Sequence, residues 1–246
     1  NAAGNADING TTANSLQTGI IVTGGSVGVL IGGTFAGQGN VISGNNWYGV
    51  EFTSAGTSNN LMQGNIVGLN AAGTASLGNS FGVSFFNAAS NNILGGGMAG
   101  ARNIISGNLG QGVYIANSNA TGNKVQGNYI GLAADGTTVF GNANHGIVIE
   151  DTATNNIIGT DVDSNNDAGE GNVIAGNVNG VIIYGVGVTG NIVAGNYIGT
   201  DATGTLDRGN SVDGVRIEGG ASSNRIGGTT IVERNIISGN DDRGLL

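Results

Sequence analysis

The chain has 246 residues, of which 50 are glycine and none is proline or cysteine, and charged residues make up only 9% of it. Its formal net charge of −9 argues against a polyanionic partner such as nucleic acid. Without cysteine it forms neither a disulfide framework nor a thiolate metal site, and no apolar run approaches the length of a membrane span. Valine and isoleucine nevertheless recur at fixed offsets, which indicates a folded repeat protein rather than glycine-rich disorder.

A motif of the form Gly-Val-x-Ile repeats along the whole chain at spacings of 30 to 34 residues. Its copies begin at Gly19, Gly49, Gly82, Gly112, Gly146, Gly180 and Gly214, with a shortened eighth copy at Gly244. Apolar residues alternate with a variable residue in each copy, which is the two-residue period of a half-buried strand. We expect two inward rows, Val50, Val83, Val113, Ile147, Val181 and Val215 in the first and Phe52, Phe85, Ile115, Ile149, Ile183 and Ile217 in the second.

An asparagine precedes every copy from the second onward. These corner residues are Asn45, Asn79, Asn108, Asn142, Asn177, Asn210 and Asn240. Asparagine tolerates the left-handed backbone of a tight corner, and amides stacked in register hydrogen-bond to one another. The recurrence therefore predicts an asparagine ladder along a stack of coils.

Two further short strands follow each motif, and each opens at an asparagine. The second strands open at Asn60, Asn92, Asn123, Asn156, Asn191 and Asn224, and the third at Asn40, Asn65, Asn103, Asn128, Asn172, Asn196 and Asn235. A long loop follows the third strand in one coil and precedes it in the next. Short strands without any helical period predict an all-β solenoid of about seven coils, each of 30–34 residues and three strands. We interpret residues 1–246 as one such domain and expect it to be a fragment of a longer repeat protein.

The succession IGGT, GNVISGN, GV.I, GNYIGT and GT…GN resembles the right-handed parallel β-helix repeats of large bacterial extracellular and surface proteins. The resemblance covers residues 14 to 246. The wider pectate-lyase-like superfamily includes pectate lyases, polygalacturonases, alginate epimerases and phage tailspikes. The resemblance thus implies a right-handed β-helix, a location outside the cell or at its surface, and contact with polysaccharide. It does not imply one activity.

The catalytic groups of those enzymes are poorly matched. β-Elimination requires a base and cations near the sugar carboxylate, whereas the seven basic residues form no evident cluster. The single histidine, His145, occupies a corner position that varies between coils. The adjacent Asp241 and Asp242 lack the companion His and Arg motifs of polygalacturonases.

The outward positions of the first strand hold the best candidate site. Aromatic rings stack on sugar faces and carboxylates accept from sugar hydroxyls. Glu150 and Glu218 are the candidate catalytic residues, about 9.6 Å apart if two coils separate them, at the outer limit for an inverting pair. The candidate substrate contacts are Tyr114, Tyr184, Arg216 and Phe86. An ordinary solvated face with scattered apolar residues explains the same pattern.

One loop is longer and more acidic than its siblings. Oxygen-bearing side chains at alternate positions are typical of calcium loops, and here they are Asp161, Asp163, Asn165 and Asp167. Asn166 and Asn172 stand where a calcium-binding helix–loop–helix has glycine and an acidic residue. The sequence is consistent both with a calcium site and with a merely solvated loop, and it indicates no required cofactor.

Two functions from different classes remain. In the first, which we favour, the chain is a non-enzymatic structural or adhesive solenoid that forms filaments or contacts glycans. In the second, it is a polysaccharide lyase, hydrolase or epimerase, or a carbohydrate-binding module. Ice binding is a remote third, because the threonines fall mainly in loops.

Self-association is expected because bare coil ends present unpaired backbone groups. The segment Asn1-Ala-Ala-Gly-Asn-Ala-Asp-Ile is too short for a convincing capping helix, and Leu245 is due to point inward from the last strand. We therefore expect head-to-tail association. Outward residues of the third strand form either a lateral apolar stripe or a row that the loops cover: Val41, Ile66, Ile104, Tyr129, Val173, Tyr197 and Ile236.

Overall fold

A computed structural model describes residues 17–246 as a succession of short strands. The strands are β1 (Ile20–Val22), β2 (Leu30–Gly32), β3 (Val41–Ile42), β4 (Tyr48–Phe52), β5 (Leu61–Gln63), β6 (Ile66–Val67), β7 (Phe81–Phe86), β8 (Ile93–Gly95), β9 (Ile104–Ile105), β10 (Val113–Ala116), β11 (Lys124–Gln126), β12 (Tyr129–Ile130), β13 (Ile147–Ile149), β14 (Ile157–Gly159), β15 (Val173–Ile174), β16 (Val181–Tyr184), β17 (Ile192–Ala194), β18 (Tyr197–Ile198), β19 (Val215–Glu218), β20 (Arg225–Ile226) and β21 (Ile236–Ile237). Two three-residue 3-10 turns, Ala99–Ala101 and Asp167–Gly169, are the only helical elements in this part of the chain. Neither turn is long enough to cross a membrane. The N-terminal segment considered as a cap lies outside the described residues.

Every third strand belongs to the same parallel sheet. The first sheet runs β1-β4-β7-β10-β13-β16-β19, the second β2-β5-β8-β11-β14-β17-β20, and the third β3-β6-β9-β12-β15-β18-β21. Each strand therefore pairs with its counterpart one coil away rather than with its neighbour in sequence. Such pairing defines a parallel β-helix with three strands per coil, which confirms the predicted all-β solenoid of about seven coils.

The two apolar rows of the first strands are buried as predicted. In the register of the first sheet Val50 pairs with Ile20 and Val83, so the repeat spacing places equivalent residues directly above one another. Eleven of the twelve predicted inward residues are 0% exposed, and Ile217 is partly buried against the same core. Leu245 forms a parallel bridge with Val215, which places the shortened eighth copy in register, although Leu245 is 53% exposed.

Three asparagine ladders run along the coils. In the corner before the first strand, each side-chain amide donates to the next asparagine's Oδ1 at 2.7–3.2 Å, from Asn45 to Asn240. The predicted ladder is thus confirmed. The asparagines that open the second strands form another at 2.9–3.1 Å. Those that open the third strands form a third at 2.9–3.1 Å.

The expectation that the corner asparagines adopt a left-handed backbone conformation is wrong. None of the seven has a positive φ. At several ladder positions the residue before the asparagine adopts that conformation instead, as at Gly176 (φ 73°) before Asn177 and Asn91 (φ 54°) before Asn92. The preceding residue makes the turn, which leaves the asparagine side chain free to enter the ladder.

Long loops cover much of the outer face of the third sheet. Ile104, Tyr129 and Val173 are 4–8% exposed and pack with loop residues Leu69 and Leu132. The loops close on themselves through antiparallel bridges. Of the two alternatives for this apolar row, covering by loops therefore holds over the middle coils.

Candidate functional site

The outward face of the first sheet brings most of the candidate residues onto successive coils. Tyr184 pairs with Glu218, and Glu150 directly follows Ile149, which pairs with Ile183. Glu150, Tyr184 and Glu218 therefore occupy equivalent places on three successive coils. The sequence spacing correctly placed the two carboxylates two coils apart.

An aromatic cluster covers one part of this face. It consists of Trp47, Tyr48, Phe81, Phe86 and Tyr114. Phe86 packs edge-on against Tyr48 and Tyr114 at centroid distances of 5.3 and 5.0 Å, and it is only 6% exposed. Phe86 thus packs as a member of the cluster, whereas Tyr184 is 47% exposed outside it.

Glu150 is engaged by a tyrosine of the preceding coil. The Tyr114 hydroxyl donates a hydrogen bond to Glu150 Oε1. Burial raises the pKa of Tyr114 above its ordinary value, and this bond and the Glu150 charge raise it further. Burial also raises the pKa of the neighbouring Tyr48 to about 12, with a smaller contribution from Glu51. The pKa of Glu51 is likewise raised by burial.

Glu218 is engaged by an arginine of its own strand. Arg216 Nη2 donates to Glu218 Oε2 at 2.7 Å, and this bond raises the pKa of the guanidinium. The other terminal nitrogen, Nη1, lies 3.7 Å from Asp213 Oδ2. Each of the two candidate catalytic carboxylates therefore has its own hydrogen-bond partner.

Asp213 is a buried charge that sequence reasoning missed. Its side chain is 0% exposed, neither oxygen accepts a hydrogen bond, and Arg243 Nη1 lies 3.9 Å from Oδ1. Its backbone N–H donates to Asn179 Oδ1 at 3.0 Å, and the Asn179 amide lies 3.1 Å from His145 Nδ1. Burial, followed by the charge of Arg216, lowers the pKa of His145. His145, Asn179 and Asp213 are equally spaced in the sequence, and this spacing was the signal that could have predicted that they stack on successive coils.

The adjacent acidic pair does not form a catalytic arrangement by itself. Asp242 Oδ2 lies 3.3 Å from Arg243 Nη1, and its side chain is 53% exposed. Asp241 is also exposed. An exposed ion pair of this kind contributes little and presents no shielded environment for acid–base chemistry.

The acidic loop gathers its carboxylates closely. Oxygens of Asp161, Asp163, Asp167 and Glu170 all lie within 4.8 Å of one another. Glu170 is only 5% exposed, and burial raises its pKa. The sequence prediction included the three aspartates but missed Glu170, although it ends the lengthened loop. Asn165 is exposed, and its backbone N–H donates to Asp163 Oδ1 at 2.8 Å.

The fold places this chain in the class of parallel β-helix proteins. Comparisons with protein-family models, with curated proteins and with solved structures each found no significant match. Membership of the pectate-lyase-like superfamily therefore stays a hypothesis based on the repeat motifs.

Proposed function

We propose that this chain is a non-catalytic β-helix repeat protein with a structural or adhesive role, of the bacterial extracellular or cell-surface type. The observation that carries the proposal is the separate engagement of Glu150 by Tyr114 and of Glu218 by Arg216. Glycoside hydrolysis requires two carboxylates that flank one bond, with one of them free to hold a proton or a water. In this protein, Tyr184 occupies the equivalent position on the coil between those of Glu150 and Glu218.

The repetition of the fold supports the same role. Three continuous ladders and a buried apolar core along the coils make a rod in which each strand pairs with its counterparts on the neighbouring coils. Such a rod presents a long, regular surface for lateral or adhesive contact.

A second candidate, glycan contact without turnover, rests on Tyr184. Its ring is 47% exposed and lies between the places of two carboxylates on adjacent coils. A sugar ring stacked on an exposed tyrosine with acceptors on either side is a common recognition geometry. This contact would serve adhesion as well as it would serve an enzyme.

One experiment separates these roles. Pectin, alginate and chitin oligomers are incubated with the protein, and products are followed by mass spectrometry while binding is followed by calorimetry. We expect no turnover, and any binding should be lost in Tyr184→Ala but kept in Val186→Ala, a matched truncation at an 80% exposed residue. Turnover that Glu150→Gln or Glu218→Gln abolishes would refute the non-catalytic role.

Head-to-tail self-association belongs to the same proposal. Within residues 17–246, the outermost strands are β19, β20 and β21 at one end, where residues 244–246 pair with β19, and β1, β2 and β3 at the other. Parallel edges of this kind are complementary, and their contact is heterologous, so it propagates into a filament unless it closes. Multi-angle light scattering should show mass rising with concentration, and a strict monomer at high concentration would refute association.

A further inference from the structure

The loop after β14 has a conformation that gathers its acidic side chains into one cluster. Val162, Ser164 and Asn166 are left-handed, with φ of 60°, 70° and 62°. The backbone N–H of Asp163 donates to Asp161 Oδ1 at 3.3 Å, and that of Ser164 donates to Asp167 Oδ1 at 3.1 Å. The alternation brings together the carboxylates of every second residue.

The separation of these carboxylates matches one calcium ion. Calcium takes oxygen ligands at 2.3–2.6 Å, so ligands on opposite sides of the ion lie about 4.6–5.2 Å apart. The four carboxylate oxygens all lie within 4.8 Å of one another. Magnesium demands 2.0–2.1 Å and a near-ideal octahedron, so its opposite ligands lie only about 4.1 Å apart. The cluster therefore fits the wider coordination sphere of calcium without rearrangement, whereas magnesium would require every opposite pair to lie within about 4.1 Å.

An independent observation comes from Gln126 on β11. Gln126 is 3% exposed, its Nε2 has no hydrogen-bond partner, and it lines the same cavity of about 230 Å³ as Asp161, Asp163 and Glu170. A buried amide without a partner is costly. Rotation of the amide by 180° exchanges nitrogen for oxygen at nearly the same position and supplies a neutral ligand.

Gln63 occupies the equivalent position two coils away and lines the same cavity, but its amide has a partner within the stack. Gln63 and Gln126 are both the last residue of a second-sheet strand, two coils apart. Gln63 Nε2 donates to the Gly95 carbonyl of the next coil at 2.9 Å. Gln126 lacks the corresponding bond to its own next coil. Both amides line the cavity, but only the Gln126 amide lacks its bond within the stack, so it is the one available as a ligand.

The acidic side chains at the cavity outnumber the basic ones, which favours binding of a cation. Four carboxylates converge, and Lys124, through its ion pair with Asp161, is the basic side chain that lines the cavity. Like charges at such separations repel strongly, more so at Glu170, which is 5% exposed. One ammonium compensates only part of that repulsion.

We propose that one calcium ion binds at this cavity through the carboxylates of Asp161, Asp163 and Glu170, which line it, and the side-chain oxygen of Gln126. The carboxylate of Asp167, which lies within 4.8 Å of the other three, completes the set of ligands. Lys124 acts as a built-in competitor, since its ammonium occupies Asp161 when calcium is low. Binding ties the loop to β11 on the preceding coil and so stabilises the stack at that level.

The test uses the full chain after treatment with a chelator. Calorimetric titration with calcium chloride should show one site per chain, and Tm should rise by about 5–10 °C at a free calcium concentration about 100 times Kd. Asp161→Asn combined with Asp163→Asn should abolish both responses. Asp135→Asn, which removes an exposed carboxylate from a different loop, should leave both intact.

Three single substitutions keep the test decisive if the double variant folds poorly. Gln126→Leu should weaken calcium binding, whereas Gln63→Leu should lower Tm equally with calcium and with chelator. Lys124→Gln should tighten calcium binding on the order of tenfold by removing the competing charge, although Tm in chelator falls. Absence of binding, an equal response to magnesium, or a calcium response that survives the double substitution would overturn the proposal.

Discussion

Asn177 Oδ1 accepts two hydrogen bonds from Asn142, one from the side-chain Nδ2 at 2.9 Å and one from the backbone N–H at 3.1 Å. Both residues are 2% exposed. Asn177 in turn donates its own Nδ2 to Asn210 Oδ1 at 3.2 Å and to the Ile130 carbonyl at 3.1 Å. The Asn177 side chain thus satisfies buried backbone groups of the preceding coil while its amide also reaches the asparagine of the next coil.

Substitution of a ladder asparagine by alanine should therefore destabilise the rod. Asn177→Ala leaves the N–H of Asn142 without an acceptor and leaves its Nδ2 with only the Ile105 carbonyl. We expect a loss of about 1–3 kcal/mol in the free energy of unfolding. Asn108→Ala should behave alike, because Asn79 makes the same pair of bonds to it. Denaturant unfolding followed by circular dichroism measures both.

Asn144→Ala is the matched control for these variants. Asn144 lies two residues after Asn142, is partly exposed and stands outside the ladder. Its truncation should change the unfolding midpoint little. If both ladder variants unfold at the wild-type denaturant concentration, the amide ladder does not support the fold.

The periodic part of the structure was predictable from the sequence because residues at equal spacings lie above one another when the coils stack. The inward rows and the corner ladder follow from equal offsets, and the two further ladders carry the same signal at the strand openings. The reason given for the corner asparagines failed at Asn177, because Gly176 takes the left-handed conformation (φ 73°) instead. The recurrence of asparagine at equivalent positions does not reveal which neighbouring residue adopts the left-handed conformation of the turn.

The site could be predicted only as a set of columns. That Glu150 meets Tyr114, and not Tyr184, depends on side-chain conformation rather than on register. The same holds for Gln63 and Gln126, which share a position but differ in their partners. Glu170 joined the acidic cluster because the loop folds back, which no offset along the chain encodes.

The stacked phenyl rings of the core provide a second prediction. Phe52 and Phe85 are both 0% exposed, and their rings stack with centroids 5.1 Å apart and planes 15° apart. Phe85→Ala opens a cavity that the neighbouring coils hold apart, so we expect a loss of about 3–5 kcal/mol. Phe85→Ile introduces the residue that this column has at Ile115, and its cost should be smaller, on the order of 1 kcal/mol. Equal losses in the two variants would contradict tight packing of the column.

Alkaline titration tests the burial of Tyr48. Its pKa is raised from 10.0 to about 12, first by burial and then by the charge of Glu51. The neutral phenol is therefore favoured in the folded state, so its contribution to stability is fully present below pH 10 and is lost as the pH rises from 10 through about 12. The tyrosinate absorbance of the wild type minus that of Tyr48→Phe isolates the signal of Tyr48. This difference should titrate near pH 12. A midpoint near pH 10 for that signal would show that the ring is solvated.

Acid titration tests the carboxylate that organises the last long loop. Glu233 Oε1 accepts from Arg225 Nη1 at 2.5 Å, and its Oε2 accepts from the N–H groups of Thr229 and Thr230 at 2.9 Å. These bonds, the one from Arg225 first, lower the pKa of Glu233 from 4.5 to about 2. The ionised form is favoured on folding, so its contribution is present above pH 4.5 and is lost as the pH falls through about 2.

Glu233→Gln should therefore reduce stability near neutral pH and make Tm depend less on pH between 4.5 and 2 than in the wild type. The change keeps the shape of the side chain but removes the charge. Arg225→Gln should produce the same flattening, because the guanidinium is the leading cause of the depressed pKa. Differential scanning calorimetry across this range measures both variants. Parallel Tm curves for wild type and Glu233→Gln would mean that Glu233 titrates as a free carboxyl and that the loop is held by other contacts.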